Sequence, residues 1–86
     1  MGHELAVESL VRRIVNSLVD DTSEVQVRSI KTETATMFEV TVATTDVGKV
    51  IGKQGRSARA IRELLIEIGS ARKTRYELDI VDTTSR

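Results

Sequence analysis

Two glycines and the basic residues around them form the part of the sequence best suited to binding chemistry. Gly52-Lys53-Gln54-Gly55 is a short loop between apolar residues at helical spacing. Glycines at both ends permit backbone angles closed to other residues and let another chain approach closely. A helix that begins after Gly55 would present unpaired N–H groups and the positive end of its dipole. These features predict a site for an anionic group such as phosphate.

The charge around this loop is all of one sign. No acidic residue lies between positions 49 and 62, where five basic residues occur: Lys49, Lys53, Arg56, Arg59 and Arg62. The whole chain of 86 residues is neutral, with 13 basic and 13 acidic residues. Because exposed charges act over a Debye length of about 8–10 Å, this local surplus can attract an anion although the net charge is zero. We expect Lys53 at the loop tip, and Arg56 and Arg59 on the following helical turn, to contact phosphate.

Hydrophobic periodicity places the loop between two helices of a small α+β domain. The predicted order is helix, strand, strand, helix, helix, strand, at residues 4–19, 24–31, 35–43, 47–51, a helix from Gly55 to Gly69-Ser70, and 74–81. The first two strands are expected to form an antiparallel hairpin. Helices packed on one face of a three-stranded sheet would bury all the apolar stripes at once. We predict one domain over residues 5–82, with tails at 1–4 and 83–86.

Each predicted element has an apolar side. The apolar positions are Val7, Leu10, Val11, Ile14, Val15, Leu18 and Val19 in the first helix; Val25, Val27, Phe38, Val40, Val42, Tyr76, Leu78 and Ile80 in the strands; and Val47, Val50, Ile51, Ala58, Ile61, Leu64, Leu65 and Ile68 in the helices beside the loop. The sequence Thr44-Thr45-Asp46 predicts a hydroxyl cap followed by an early acid at the start of the first loop-flanking helix. Ser57 is expected to cap the second.

Composition excludes several classes of protein. About 40% of the residues are hydrophobic, which is typical of a globular domain rather than a disordered chain. Cysteine is absent, so the chain has no disulfide framework, thiolate nucleophile or cysteine-based zinc site. The sequence has no apolar run of the ~18–20 residues that span a bilayer, and its start lacks the apolar region of a signal peptide. These observations predict a soluble, cytoplasmic protein that does not enter a membrane.

Catalytic and cofactor chemistry has little support in the sequence. A nucleotide-binding P-loop needs four residues between its glycines and a hydroxyl after its lysine, whereas three residues separate Gly48 from Gly52, and Gln54 follows the lysine. No G-x-G-x-x-G motif is present. The single histidine, His3, lies near the start of the chain without an evident partner, and Asp20-Asp21 is interpreted as a polar turn rather than a cation site. We therefore predict no enzymatic activity, no cofactor and no metal site.

The stretch 50–56, V-I-G-K-Q-G-R, resembles the V-I-G-x-x-G signature of KH domains. The predicted element order is similar to the bacterial type II arrangement of that fold, in which a helix and two strands precede the helix pair that carries the loop. The resemblance covers residues 5–82. Among the segments that match are L-V-D at 18–20 and L-D-I-V-D at 78–82. The sequence departs slightly from the KH pattern at residues 21–23 and in the hairpin, which lacks glycine. These departures affect the expected shapes of the loops and not the expected binding site. The resemblance implies a single type II KH domain.

The resemblance also implies a binding mode. KH domains clamp about four single-stranded nucleotides, with the G-x-x-G loop against the backbone. The bases would lie in an apolar groove between the loop-flanking helices and the second strand. Val47, Val50 and Ile51 are candidates for its floor, and some of these three must face the core instead. The implied RNA-binding residues are Lys49, Val50, Ile51, Gly52, Lys53, Gln54, Gly55, Arg56 and Arg59. Because no aromatic residue lies near the loop, we expect base recognition through hydrogen bonds rather than stacking.

Two functions follow from the resemblance. The first is a single-stranded RNA-binding protein that acts as an RNA chaperone or post-transcriptional regulator. The second is a KH-fold interaction or dimerisation module with little RNA binding of its own. The resemblance implies pairing either with a second copy or with a larger KH-containing protein. The basic loop favours the first function, and binding of single-stranded DNA stays open because a phosphate clamp does not contact the 2′-hydroxyl group.

Overall fold

The sheet consists of an antiparallel hairpin with a third strand added in parallel. The computed structural model describes residues 2–81. Strand β1 (Gln26–Lys31) pairs antiparallel with β2 (Thr36–Thr41), and β2 pairs in parallel with β3 (Tyr76–Ile80). Val27 lies opposite Val40 in the hairpin, and Phe38 lies beside Leu78 in the parallel pair. The predicted hairpin and the three-stranded sheet are confirmed.

Three helices complete the predicted order. Helix α1 (Gly2–Leu18) precedes the hairpin, and α2 (Val47–Ile51) and α3 (Arg56–Ala71) lie between β2 and β3. The α+β class and the order α-β-β-α-α-β are confirmed. Helix α1 begins at Gly2, two residues before the predicted start, and residues 83–86, predicted as a tail, lie outside the described residues.

The helices and one face of the sheet enclose a single apolar core. Its buried members are Val7, Val11 and Val15 of α1; Val27, Phe38, Val40, Val42, Tyr76 and Leu78 of the strands and their ends; and Val47, Val50, Ile61 and Leu65 of the helices beside the loop. The rings of Phe38 and Tyr76 meet edge to face, with their centroids 5.4 Å apart. This geometry is the one that the aromatic quadrupole favours.

Two leucines assigned to the apolar stripes are exposed. Leu10 in α1 is 36% exposed and Leu64 in α3 is 38% exposed. Each lies one residue before a fully packed neighbour, Val11 and Leu65 respectively. Successive helical residues differ by about 100° in direction, so both leucines lie at the margin of a stripe that is narrower than predicted.

The predicted caps of α2 and α3 are wrong. Residues Thr44–Asp46 form a 3₁₀ turn, and no side chain caps the helix that follows. Helix α3 also starts without a side-chain cap, since its N-cap position is Gly55 and Ser57 lies inside the first turn. The first strand likewise starts two residues later than predicted. Asp21 accepts a hydrogen bond from the N–H of Ser23 and holds Thr22–Glu24 in a turn instead.

Polar contacts join α1 to the rest of the chain. The Ser29 hydroxyl donates to Glu8 Oε1 at 2.6 Å, and Arg12 donates to the carbonyl of Val27 at 3.3 Å. His3 has a partner that the sequence did not reveal: its two ring nitrogens lie 2.6 and 3.0 Å from Nη1 of Arg72. The N-terminal turn of α1 is therefore held against the end of α3.

The end of α3 depends on a buried glycine. Gly69 accepts a hydrogen bond from the Thr74 N–H at 2.8 Å, and Ser70 accepts one from the Lys73 N–H at 3.2 Å. This pair of bonds is a Schellman motif, which turns the chain from α3 into β3. A Cβ atom on Gly69 would overlap the carbonyl oxygen of Thr74.

We expect Gly69→Ala to destabilise the protein by about 1–3 kcal/mol, because the added methyl group overpacks this turn. Gly48→Ala is the matched control, since Gly48 lies in α2 with nothing within 4 Å of an added Cβ. It should stabilise the fold by roughly 0.5–1 kcal/mol through helix propensity. Urea unfolding followed by circular dichroism measures both changes. Equal effects of the two substitutions would contradict this account of Gly69.

Candidate nucleic-acid interface

The loop between α2 and α3 has a backbone that favours glycine. Gly52 has φ +83° and ends α2, and Gly55 has φ +75° and precedes α3. Gln54 between them also has a positive φ, +57°. The Gly55 N–H donates to the Gly52 carbonyl at 3.0 Å and closes the loop as a tight turn. The predicted special conformation of both glycines is confirmed.

Gly52 also brings the two helices close together. A Cβ atom at this position would lie 2.5 Å from the Ser57 Oγ and 2.7 Å from its backbone nitrogen. Only a residue without a side chain allows the end of α2 to lie this near the first turn of α3. The uncapped N–H groups of α3 and the loop therefore belong to one small surface.

Four basic side chains surround this surface, and the described residues offer them no carboxylate partner. Among residues 2–81, no ion pair involves Lys53, Arg56, Arg59 or Arg62. Two of them contact the loop itself. Arg56 donates to Oε1 of Gln54 at 3.3 Å, and Arg59 donates to the Gln54 carbonyl at 3.4 Å. The uncompensated charge and the positive end of the α3 dipole together favour an anion here.

Lys49, the fifth residue of the basic run, has a different environment. Its ammonium nitrogen lies 3.4 Å from a carboxylate oxygen of Asp20 and 3.5 Å from one of Asp46. Lys49 and Ile51 are two residues apart in α2, so they project about 200° apart around the helix axis. Lys49 therefore lies on the side of α2 opposite Ile51, with its charge balanced by two acids.

Asp46 is the only charged residue classed as buried in the part of the chain that the structure describes, at 1% exposure. Its Oδ2 accepts a hydrogen bond from the backbone N–H of Asp21 at 3.0 Å. This bond lowers the pKa of Asp46, and Lys49 lowers it further, against the opposing effect of burial. The pKa of Lys49 is raised, first by Asp20 and then by Asp46. Asp46 thus joins the end of α1 to the start of α2.

An open depression of 450 Å³ lies beside the loop. It is lined by Ile51, Gly55, Ala58, Arg59, Arg62 and Ile80. Val47 and Val50, proposed as the floor of a groove, are 4% and 0% exposed and belong to the core instead. The strand at this depression is β3, which contributes Ile80, and not the second strand.

Of the nine residues predicted for binding, the structure brings together Ile51, the four loop residues, Arg56 and Arg59 on this side of the fold. Val50 and Lys49 do not share that surface. Three residues that were not among the nine also line the depression: Ala58, Arg62 and Ile80. Arg62 belongs to the same acid-free basic run and follows Arg59 at helical spacing, so the charge pattern could have found it. The position of Ile80 depends on strand pairing, which the periodicity does not reveal.

A model of the KhpA/KhpB KH-domain family matches residues 8–80 of this sequence. The chain belongs to the KhpA/KhpB family of KH domains. The element order described above is therefore that of a KH domain. Proteins of this family are non-enzymatic.

Curated relatives agree with the family assignment. A protein of Treponema pallidum is 47% identical over 75 residues, which cover 87% of this chain and 94% of the relative. A protein of Borreliella burgdorferi is 45% identical over 81 residues, covering 94% and 95%. A third, from Listeria monocytogenes, is 38% identical over 76 residues, covering 88% and 100%. All three relatives carry the name RNA-binding protein KhpA.

None of the helices within residues 2–81 has the length and apolar character needed to cross a membrane. The same residues contain no group of three or more His, Cys, Asp or Glu side chains placed to hold a metal ion.

We predict that the Asp46 carboxylate makes stability depend on pH. Its folded-state pKa lies below the ordinary value of 3.8. The ionised group therefore stabilises the fold above the unfolded-state pKa, and this contribution is lost as the pH falls through the folded-state pKa. Asp46→Asn keeps an oxygen acceptor for the Asp21 N–H but removes the charge. The variant should unfold at lower urea than wild type at pH 7, and the difference should shrink below about pH 4.

Urea unfolding at pH 7, 5 and 3 measures this difference. Asp20→Asn is the control, because the Asp20 side chain is 83% exposed and also contacts Lys49. It should change stability little at any pH. If the difference in stability between wild type and Asp46→Asn is as large at pH 3 as at pH 7, the charge of Asp46 does not contribute to the stability of the fold.

Proposed function

We propose that this chain is a single-stranded RNA-binding protein that holds the RNA backbone with its GKQG loop and the start of α3. The observation that carries the proposal is a set of four cations that have no carboxylate partner within residues 2–81. They surround an uncapped helix start beside an open depression. The relatives named RNA-binding protein KhpA support the choice of RNA.

Phosphate groups would be bound by three kinds of donor at this surface. Gly52 and Gly55 leave the loop backbone open to close approach, and the first turn of α3 supplies N–H groups and a positive dipole. Lys53, Arg56 and Arg59 supply full charges. Charge-assisted hydrogen bonds of this kind are about twice as strong as neutral ones. The backbone of the nucleic acid would therefore be positioned by the loop, independently of base sequence.

Bases would enter the depression beside the loop. Ile51, Ala58 and Ile80 give it apolar surface, and Arg59 and Arg62 add hydrogen-bond donors at its edge. A paired base cannot reach such a site without leaving its helix, so the arrangement suits unpaired RNA. Single-stranded DNA, which has the same phosphates and bases, is the natural comparison in a binding assay.

The biological role that fits this site is that of an RNA chaperone or post-transcriptional regulator in the bacterial cytoplasm. One short site on a small domain binds weakly, and pairing raises the effective affinity without new contacts to RNA. We propose that the chain pairs with a second copy or with a larger KH-containing protein. The other candidate function, an interaction module with little RNA binding, draws support from Leu64 and Ile66, which are 38% and 61% exposed on α3.

The double substitution Lys53→Asp, Gln54→Asp tests the loop. Aspartate tolerates the left-handed conformation of Gln54, so stability should change by less than about 0.5 kcal/mol per site. Affinity for a short unstructured RNA should fall at least roughly tenfold, since a charged phosphate contact is worth about 1.5–3 kcal/mol and the new charges add repulsion. Fluorescence anisotropy measures affinity, and thermal melting of the same preparation measures stability.

Arg13→Glu is the control for net charge, because Arg13 is exposed on α1, outside the candidate site. It should leave RNA affinity nearly unchanged. The same RNA annealed to its complement should bind the wild type more weakly than the single strand. If the double variant melts like wild type and binds RNA equally well, the loop is only a structural turn and does not contact RNA. That result would favour the interaction module.

Salt dependence tests which cations contact phosphate. Three or four contacts predict that log K falls against log salt with a slope of about −2 to −3, at roughly −0.7 per contact to a single strand. Lys53→Gln should make this slope less steep by about 0.7. Lys49→Gln removes the same charge, but Lys49 is paired with Asp20 and Asp46, so its slope should match wild type. If Lys49→Gln changed the slope as much as Lys53→Gln, both lysines would contact phosphate.

A further inference from the structure

The depression beside the loop continues along the edge of β3. A second depression of 410 Å³ shares Arg62 with the first. A third, of 610 Å³, shares Ile66, Arg75 and Tyr76 with the second. The three depressions thus form a continuous track between α3 and β3. The track runs from the GKQG loop to the turn that joins these two elements, where Lys73 lines its far end.

Lys73 has a backbone conformation that is unfavourable for a lysine. Its φ is +55°, and it occupies the C′ position of the Schellman motif that ends α3. Glycine takes this position most often, because a side chain disfavours the left-handed region. A lysine here therefore lowers stability relative to glycine. A residue whose backbone conformation is unfavourable for its side chain is an indication of function when that side chain can bind a ligand.

The side chain of Lys73 is placed where its positive charge can bind an anion. The residue is exposed, and no carboxylate pairs with it within the described part of the chain. Arg75 lies at the same end of the track and is also exposed, although its Nε lies 3.0 Å from Glu77. The depression at the far end of the track therefore carries one unpaired and one paired cation and no acidic residue. Beyond it, a fourth depression of 270 Å³ shares Lys73 and Arg75 and adds Lys31, Glu4 and Glu33, so the surplus of positive charge stops at Lys73 and Arg75.

The middle of the track differs in character from both ends. Its charges balance, with Arg62 and Arg75 against Glu77 and Asp79, and it includes the exposed side chain of Ile66. A phosphate gains little from such a surface. A base gains apolar contact, and a carboxylate can accept a hydrogen bond from an exocyclic amino group. The order along the track is thus cationic, neutral and cationic.

We propose that the RNA strand held by the GKQG loop continues along β3 and ends with a phosphate on Lys73 and Arg75. The binding site is then longer than the four nucleotides that one KH loop clamps, and its middle favours a base with an amino group. This inference rests on the proposed function for the position of the loop end. The occupant is the same RNA strand because the track is continuous with the loop site and both of its ends are cationic.

Lys73→Gly separates this role from a structural one, because it should raise stability and lower binding. Glycine relieves the positive φ, so the melting temperature should rise or stay equal. Affinity for an unstructured RNA of about twelve nucleotides should fall roughly tenfold through loss of one charged phosphate contact. A four-nucleotide RNA, which occupies the loop end only, should bind the variant and the wild type equally.

Two further variants serve as controls. Lys73→Asn also suits the left-handed region but lacks the charge, so it should behave like Lys73→Gly. Lys73→Arg keeps the charge and should retain affinity for the long RNA. The proposal is overturned if Lys73→Gly binds the long RNA as tightly as wild type. It is also overturned if the variant changes the molar mass in light scattering but not RNA affinity, since the track would then contact protein.

The experiment distinguishes an error in the proposed continuation of the RNA strand along β3 from an error in the proposed RNA-binding function. If the wild type binds the short and long RNAs with equal affinity, the loop functions and the extension is wrong. If the wild type binds neither RNA, both proposals fail. A long RNA with amino-bearing bases should also bind better than one made only of uracil, and equal binding would remove the proposed base preference in the middle of the track.

Discussion

The parallel pairing of β2 with β3 is the constraint from which the rest of the architecture follows. Two parallel strands cannot be joined by a tight turn, and their connection must cross the face of the sheet. In this chain the crossover occupies residues 42–75 and contains α2, the GKQG loop and α3. Ile61 and Leu65 bury the crossover against the sheet. The candidate site therefore lies on the connection that the sheet requires, and β3 provides its opposite wall.

The crossover carries positive charge in two different ways. Lys49 lies between Asp20 and Asp46, so its charge serves to hold α2 to the end of α1. Four other cations have no such partners among residues 2–81, and they surround a helix start that no side chain caps: Lys53, Arg56, Arg59 and Arg62. Their contacts within the fold are the hydrogen bonds of Arg56 and Arg59 to Gln54, which leave the positive charge uncompensated. The division between paired and unpaired cations thus separates a contact that holds α2 to the end of α1 from the surface that we propose binds RNA.

The sequence predicted the elements and the loop well because both depend on local patterns. Alternation at Phe38 and Val40 and the two glycines of the loop were sufficient for the fold class and for the position of the loop between α2 and α3. Errors arose where a distant contact decides the outcome. Periodicity identified Val50 as apolar but could not tell a groove from the core, and a run of basic residues does not show that Lys49 has acidic partners 3 and 29 positions away. The groove wall at Ile80 needed the strand order, which a pattern of alternating faces does not contain.

The register of the sheet also has a consequence for the order of folding. The hairpin joins neighbouring segments, whereas the parallel pair joins Phe38 to Leu78 across the whole crossover. Contacts between distant segments close late, because the chain between them loses entropy first. A growing polypeptide leaves the ribosome from its N-terminus, so β3 emerges after the hairpin and the glycine loop. A nascent chain would then possess the basic loop before it possesses the depression between the loop and Ile80, so its positive charge would be exposed before the proposed base site is complete.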